Sequence, residues 1–244
     1  MLYIPMLLGF LQAGVWTLRI PELFLAATGC FLARRPLLAW ARALHWRKPA
    51  GDSPRLALIY LAVGAVAGAL LIFPNRLWYL AALAIVAALI LAVNTWQGVV
   101  REDRTFLGEF TAIAGMTLTG PAAYYTSTLR LDFTALLIWL LSLLYFLSSV
   151  VYVKLRVSAA HERHHGDTAR FQFVCAGYHA LLLGVLGLLR IQHFIGTLAA
   201  LGFIPVIARA LWFTARPHRH LNMQRIGWSE VVFSLLFLIT NGLY

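Results

Sequence analysis

Apolar runs of roughly 20 residues, separated by short charged turns, recur from one end of this 244-residue chain to the other. Each run can cross the roughly 30 Å hydrocarbon layer as an α-helix, because a helical residue advances about 1.5 Å and every backbone polar group finds its partner inside the helix. Nine runs are read: 1–18, 20–38, 56–73, 77–100, 106–129, 132–153, 171–189, 192–213 and 226–244. The expected fold is therefore all-α, a polytopic membrane bundle of nine transmembrane helices forming a single domain over residues 1–244. Glu22 and Pro36 interrupt the second run, which makes eight crossings the runner-up. Composition agrees, since 61% hydrophobic and 12% charged residues cannot dress a water-soluble globule with a polar exterior.

The basic residues orient the chain. Lys and Arg in short loops are retained on the cytoplasmic side. The turns after the even-numbered runs hold Arg34, Arg35, Arg42, Arg47, Lys48 and Arg55, then Arg101 and Arg104, then Lys154, Arg156, Arg163 and Arg170, then Arg209, Arg216, Arg219 and Arg225. The turns after the odd-numbered runs hold one each: Arg19, Arg76, Arg130 and Arg190. The amino terminus is thus expected inside and the carboxyl terminus outside. In a soluble chain the net charge of +11 would raise nucleic-acid binding. Here the cations lie between apolar runs, so the expected partners are membrane lipids and anionic head groups, with no nucleic acid. Residues 34–46 place Leu37, Leu38, Ala41 and Leu44 on one helical face, with Trp40 and Trp46 at its edges. That pattern suits a separate helix lying in the head-group layer.

Several stretches carry a resemblance: the opening Met1-Leu2-Tyr3-Ile4-Pro5-Met6-Leu7-Leu8-Gly9, Ser149-Val150-Val151-Tyr152-Val153-Lys154, Tyr178-His179, Ile207-Ala208-Arg209-Ala210, and Arg225-Ile226-Gly227-Trp228-Ser229-Glu230. Together they resemble the YwiC-like family of bacterial integral membrane proteins, in order along nearly the whole chain. That family has no assigned activity, so the resemblance implies topology and a bacterial cytoplasmic-membrane location rather than a reaction. Its members are most alike in a His-Gly-Ala-Trp segment directly before the first helix, and this chain begins just after that point. The expectation is that Met1 is an internal methionine taken as the start. A start codon with no in-frame coding sequence upstream refutes it. More distantly, the architecture resembles the UbiA-type prenyltransferases, whose aspartate clusters hold Mg²⁺ at the cytoplasmic ends of two helices. This chain has Arg34 and Arg35, and Lys154 and Arg156, at the corresponding ends. Mg²⁺ needs oxygen ligands, so that chemistry is not expected, whereas the basic groups suit direct grip on an anionic head group.

Ionisable groups inside the apolar runs mark further candidates, because a charge in hydrocarbon must pair or face a cavity. Glu109, Arg209 and Glu230 all fall near the cytoplasmic boundary. They read as a polar mouth built from the fifth, eighth and ninth runs, with Arg209 paired to Glu230 or Glu109; the bland alternative is snorkelling at helix ends. Pro205, four residues before Arg209, favours a kink there. His179 stands mid-run, either as a neutral imidazole bonded to a neighbouring helix or as a quinone, proton or haem contact; no motif calls for a cofactor. Asn94, Thr95 and Gln97 add hydrogen-bonding groups that glue helices or line a pocket. His161-Glu162-Arg163-His164-His165 satisfies the H-E-x-x-H zinc pattern, but its setting in a basic polar connection before Gly166 argues against a zinc centre at His161 and His165. His218 and His220, on the same side, offer a second loop for adventitious or regulatory metal binding, against the plainer reading of a solvated basic loop. Cys30 and Cys175 lack disulfide or zinc spacing and read as small core residues.

The candidate ligand-binding set is therefore Arg34, Arg35, Glu109, Lys154, Arg156, His179, Arg209 and Glu230. It points first to a protein that binds an anionic amphiphile (a lipid, an isoprenoid phosphate or a quinone-like molecule) and acts as a binder or a transferase. The alternatives are a small-molecule transporter, which would need a route to the outer face, and an assembly or scaffold protein without a site.

Overall fold

The structure is a computed structural model, and it describes residues 2–102, 105–160, 165–216 and 223–243. Every regular element among the described residues is an α-helix: α1 (Tyr3–Ala13), α2 (Ile20–His45), α3 (Ser53–Asn75), α4 (Trp78–Val99), α5 (Phe106–Thr117), α6 (Thr119–Thr128), α7 (Phe133–Ala160), α8 (His165–Ile191), α9 (Thr197–Leu201), α10 (Ile204–Ala215) and α11 (Met223–Gly242). Six stretches are long and apolar enough to cross a bilayer: α2, α3, α4, α7, the Thr168–Ile191 part of α8, and Thr197–Ala215 across α9 and α10. The protein is a multi-pass membrane protein. By contrast α1 has 11 residues, about 16 Å at helical rise, or half the hydrocarbon layer.

Two of the expected spans are broken helices. Between α5 and α6 the chain turns at Leu118. Pro121 has no N–H to give the Thr117 carbonyl, and the hydroxyls of Thr117 and Thr119 bond nearby carbonyls instead, Thr117 to Ile113 at 2.9 Å and Thr119 to Met116 at 2.8 Å. Between α9 and α10 the break falls at Gly202 and Phe203, where Pro205 leaves the Leu201 carbonyl without its helical donor.

The 34–46 stretch differs from its sequence reading. It continues α2 through Pro36 as one 26-residue helix rather than forming a separate head-group helix. Arg42 explains why, since its Nε and Nη2 both donate to the Gly98 carbonyl at the end of α4, at 3.0 and 2.7 Å. Leu38 packs on the bare Gly98 backbone. Leu38 of the apolar stripe is thus docked on α4, while Leu44 at its end stays exposed.

The chain divides into two compact units, Met1–Leu140 and Leu141–Tyr244. In the first, α2 and α3 pair at Gly29 and Gly64; a Cβ at Gly29 would lie 2.7 Å from the Gly64 nitrogen, an approach that small residues alone permit. The short α1 and α6 meet at Gly9 and Gly120 in the same way. Met6, Phe10, Leu23, Leu71, Leu77 and Leu80 form the buried apolar cluster beneath these pairs. Arg19, the lone cation of its turn, donates to Asn75 Oδ1 at 2.8 Å, tying the start of α2 to the end of α3. In the second unit Tyr145 stacks on Phe237 with centroids 4.3 Å apart, and Phe203 meets both rings edge-on. Leu155, Cys175, Ala210 and Phe213 form a further cluster.

Candidate functional site

Alanine and glycine dominate the inner faces of α3 and α4, and side chains that small cannot fill the space between helices. The result is a partly open cavity of about 600 Å³ in the first unit, within the ordinary range of ligand sites, walled by α2, α3, α4, α5 and α6. On α2 the wall reads Leu23, Ala26, Ala27, Cys30, Arg34, the three- and four-residue spacing of one helical face. On α3 it includes Gly64, Ala65, Gly68 and Ala69, and on α4 Ala84, Ala87, Ala88 and Asn94. The far end is lined by Leu71 and Leu80, both buried, with the exposed Phe73 beside them.

The other end is polar. Arg34 donates from Nε to Asn94 Oδ1 at 2.9 Å, and Asn94, buried, donates from Nδ2 to the Gly108 carbonyl of α5 at 3.1 Å. One turn along α4, Gln97 Oε1 accepts from the Thr111 hydroxyl at 2.8 Å. The i, i+3 pair Asn94 and Gln97 thus laces α4 to α5, while Arg34 and Arg42 lace it to α2. Arg34 is the one charged residue among the described cavity-lining residues.

The second unit holds a different constellation. Arg209 on α10 pairs through Nη2 with Glu230 Oε1 of α11 at 2.5 Å and donates from Nη1 to the Ser229 hydroxyl at 2.9 Å. The other oxygen of Glu230 accepts from Ser149 of α7 at 2.6 Å. The guanidinium lies 4.1 Å from the Tyr152 ring centroid and 4.9 Å from that of Phe233, the cation–π geometry of a desolvated cation. Of the two partners expected for Arg209, Glu230 is the one that binds it; Glu109 is a half-buried residue of α5 in the first unit. Ser149 and Tyr152 are site neighbours that the sequence analysis names only within a stretch carrying the family resemblance and not as site residues, although their three-residue spacing on α7 puts both on the face that meets Arg209 and Glu230.

His179 is fully buried. Its Nδ1 lies 2.7 Å from the Cys175 carbonyl, which can only accept, so the proton sits on Nδ1. Nε2 then accepts from the Ser148 hydroxyl at 2.9 Å, and the neutral ring joins α8 to α7. Arg35 is exposed and Lys154 half-buried, while the Arg156 guanidinium lies 4.2 Å from the Phe213 centroid. Thr95 turns back to its own helix at Leu91. Cys175 is buried in the core as expected, but Cys30 is exposed and lines the cavity, a correction to its reading as a core residue. His161, Glu162, Arg163, His164, His218 and His220 lie outside the described residues, and His165 begins α8. Among the described residues no three His, Cys, Asp or Glu side chains gather to hold a metal.

Fold and site together define an all-helical, multi-pass membrane protein with an apolar cavity that is basic at one end. The chain belongs to the YwiC-like family, whose model, described as YwiC-like protein, matches residues 1–124. The match covers the first unit up to α6, rather than nearly the whole chain as the resemblance implied. No curated protein and no solved structure matches the chain, and the distant likeness to the UbiA-type architecture gains no support from them.

Proposed function

We propose that this protein binds an anionic amphiphile in the cavity of its amino-terminal unit, with Arg34 at the head group and the alanine-lined walls around the tail. The observation that carries the reading is the single cationic corner, Arg34 braced by Asn94, on an otherwise apolar chamber of about 600 Å³. A guanidinium braced through its Nε is pre-oriented to grip a carboxylate or phosphate. Alternation of basic turns supports placing Arg34 on the cytoplasmic side of a bacterial membrane. Eight full crossings follow, with α5–α6 and α9–α10 each counted as one broken span and the half-length α1 tucked against α6. The Arg209–Glu230 cluster serves in this reading as structure, so Arg34 rather than Arg209 is the residue whose replacement tests binding.

Mass spectrometry of organic extracts from the detergent-purified protein is the experiment. A retained amphiphile is expected with the wild type, and Arg34→Met should cut its occupancy about tenfold or more, the scale of one lost charge-assisted contact. A wild-type extract holding nothing above the detergent background defeats the proposal. A second variant checks the chamber itself. Gly68 lines the cavity and nothing lies within 4 Å of a Cβ built there, so Gly68→Leu adds its side chain from an uncrowded point of the wall. It should abolish retention while leaving the thermal melt unchanged; retained ligand in that variant would place it elsewhere.

A further inference from the structure

We infer that the chamber of the first unit opens sideways, through a slot between α3 and α4, into the hydrocarbon of the bilayer, so that its occupant is a membrane lipid exchanged with the bilayer itself; this rests on the binding reading above. The slot follows from packing. α3 lies close along α2, with Gly29 on Gly64, yet hardly touches α4, its neighbour in the chain. Ala65 on α3 and Ala84 and Ala88 on α4 all line the chamber and are all exposed, as is Cys30 on the α2 wall. Methyl side chains at these places do not bridge two helices that their other contacts hold apart.

Depth decides what lies outside the slot. Ala65 stands 10 residues from Asn75, and Ala84 and Ala88 stand 6 and 10 residues from Trp78, which puts them about 9–15 Å along their helices from the connecting turn. In a layer about 30 Å thick that is the middle. The lips beside them are Val66 and Leu70 on α3 and Ile85 and Leu89 on α4, all more than half exposed. Over residues 56–73 and 80–93 the Tyr60 hydroxyl is the one polar side-chain group, and α4 is the least buried of the six candidate spans. Such a surface offers water no hydrogen bond, whereas lipid tails match it. The Arg34 end is held differently. There α4 is laced to α2 by Arg34–Asn94 and Arg42–Gly98 and to α5 by Asn94–Gly108 and Gln97–Thr111. Entry from the aqueous side between these helices costs buried hydrogen bonds. Sideways exchange between α3 and α4 breaks none of them.

The chain supplies its own reporter, since Cys30 is exposed on the chamber wall and Cys175, the second of its two cysteines, is fully buried. The full-length protein is labelled with monobromobimane and reconstituted into phosphatidylcholine vesicles, with Cys30→Ser as the background. Emission is then read against 10-doxylnonadecane, a nitroxide dissolved in the hydrocarbon, and against iodide in the water. Leu89→Cys, labelled in the Cys30→Ser background, calibrates a lipid-facing position. The nitroxide should lower bimane emission at Cys30 by about twofold, close to its effect at the calibrating position, and iodide should lower it by less than about a tenth. If Cys30 takes up no bimane, Ala88→Cys in the same background carries the label from the opposite wall with the same expectation. Strong iodide quenching with a silent nitroxide would mean a chamber open to water and overturns the inference. A label shielded from both quenchers would mean a slot covered by protein and overturns it equally. The binding reading is judged apart, by the organic extract: a retained amphiphile beside an iodide-quenched label keeps that reading and removes the sideways route, and an empty extract removes the occupant whatever the quenchers report.

Discussion

Breaking the Arg209–Glu230 pair from either side should unfold the carboxyl-terminal unit under much milder conditions, by about 3–5 kcal/mol, the usual cost of stranding one member of a buried ion pair. The side chains are 15% and 21% exposed, and the contact is short. Glu230→Gln keeps the shape and a hydrogen-bonding group, so any loss it causes is the loss of the charge. It leaves the Arg209 guanidinium against Tyr152 and Phe233 with no counter-ion among the described residues. Arg209→Met leaves the converse, a carboxylate held by Ser149 alone. The double variant Arg209→Met/Glu230→Leu should regain most of the stability, because apolar side chains of similar volume replace both charges at no desolvation cost. Cys175 is the reporter. It is fully buried in this unit, so in a Cys30→Ser background the temperature at which it reacts with a thiol reagent measures opening of the unit. Single variants that react at the wild-type temperature would show that the pair does not hold α10 to α11.

Gly9→Ala should be nearly as damaging in the amino-terminal unit, although it adds a single carbon. The new Cβ would overlap the Gly120 carbonyl oxygen and lie 3.0 Å from the Tyr124 nitrogen. Both are backbone atoms of α6, so no rotamer change relieves the clash and one helix must move. That displacement lifts Met6 and Phe10, both fully buried, off the cluster they share with Leu71 and Leu80. The expected loss is about 3 kcal/mol, the upper end for overpacking, read as a lower melting temperature by circular dichroism in detergent. Gly68→Ala, on an open wall, is the matched control and should melt with the wild type. Equal melts for the two variants would mean that α1 and α6 are not in contact at this crossing.

The two halves of the candidate set have different meanings once placed. Arg34 lies on a largely apolar cavity wall, where Asn94 holds its Nε. Arg209, Glu230 and His179 are held by their own neighbours: a carboxylate and a serine for the two terminal nitrogens of the guanidinium, whose buried Nε has no hydrogen-bond partner among the described residues, a serine and the guanidinium for the carboxylate, a serine and a carbonyl for the imidazole. Intramembrane charge alone does not separate these cases, because a structural staple and a ligand contact both demand partners in hydrocarbon.

Much was legible in the order of residues. Crossing a bilayer depends on local composition, so the apolar runs identified a helical membrane protein without knowledge of any contact. Asn94, Thr95 and Gln97 were likewise legible as hydrogen-bonding groups on α4, since residue identity is local; that Asn94 and Gln97 would meet α5 while Thr95 bonds its own helix was not. Breaks at Leu118 and at Gly202–Phe203 had local causes too, in Pro121 and Pro205, but a proline equally starts or kinks a helix, and its neighbours decide which. What the tertiary structure alone decided were the choices among partners: Glu230 over Glu109 for Arg209, and the end of α4 over the head-group layer for Arg42 and Leu38. The cavity belongs to this second kind. Alanine and glycine faces can close into tight helix pairs, as at Gly29 and Gly64, or stand apart as a chamber, as along Gly68, Ala84 and Ala88. Side-chain volume sets how near two helices can come, whereas the remaining contacts of each helix set how near they do come, and those are made by residues far away in the chain.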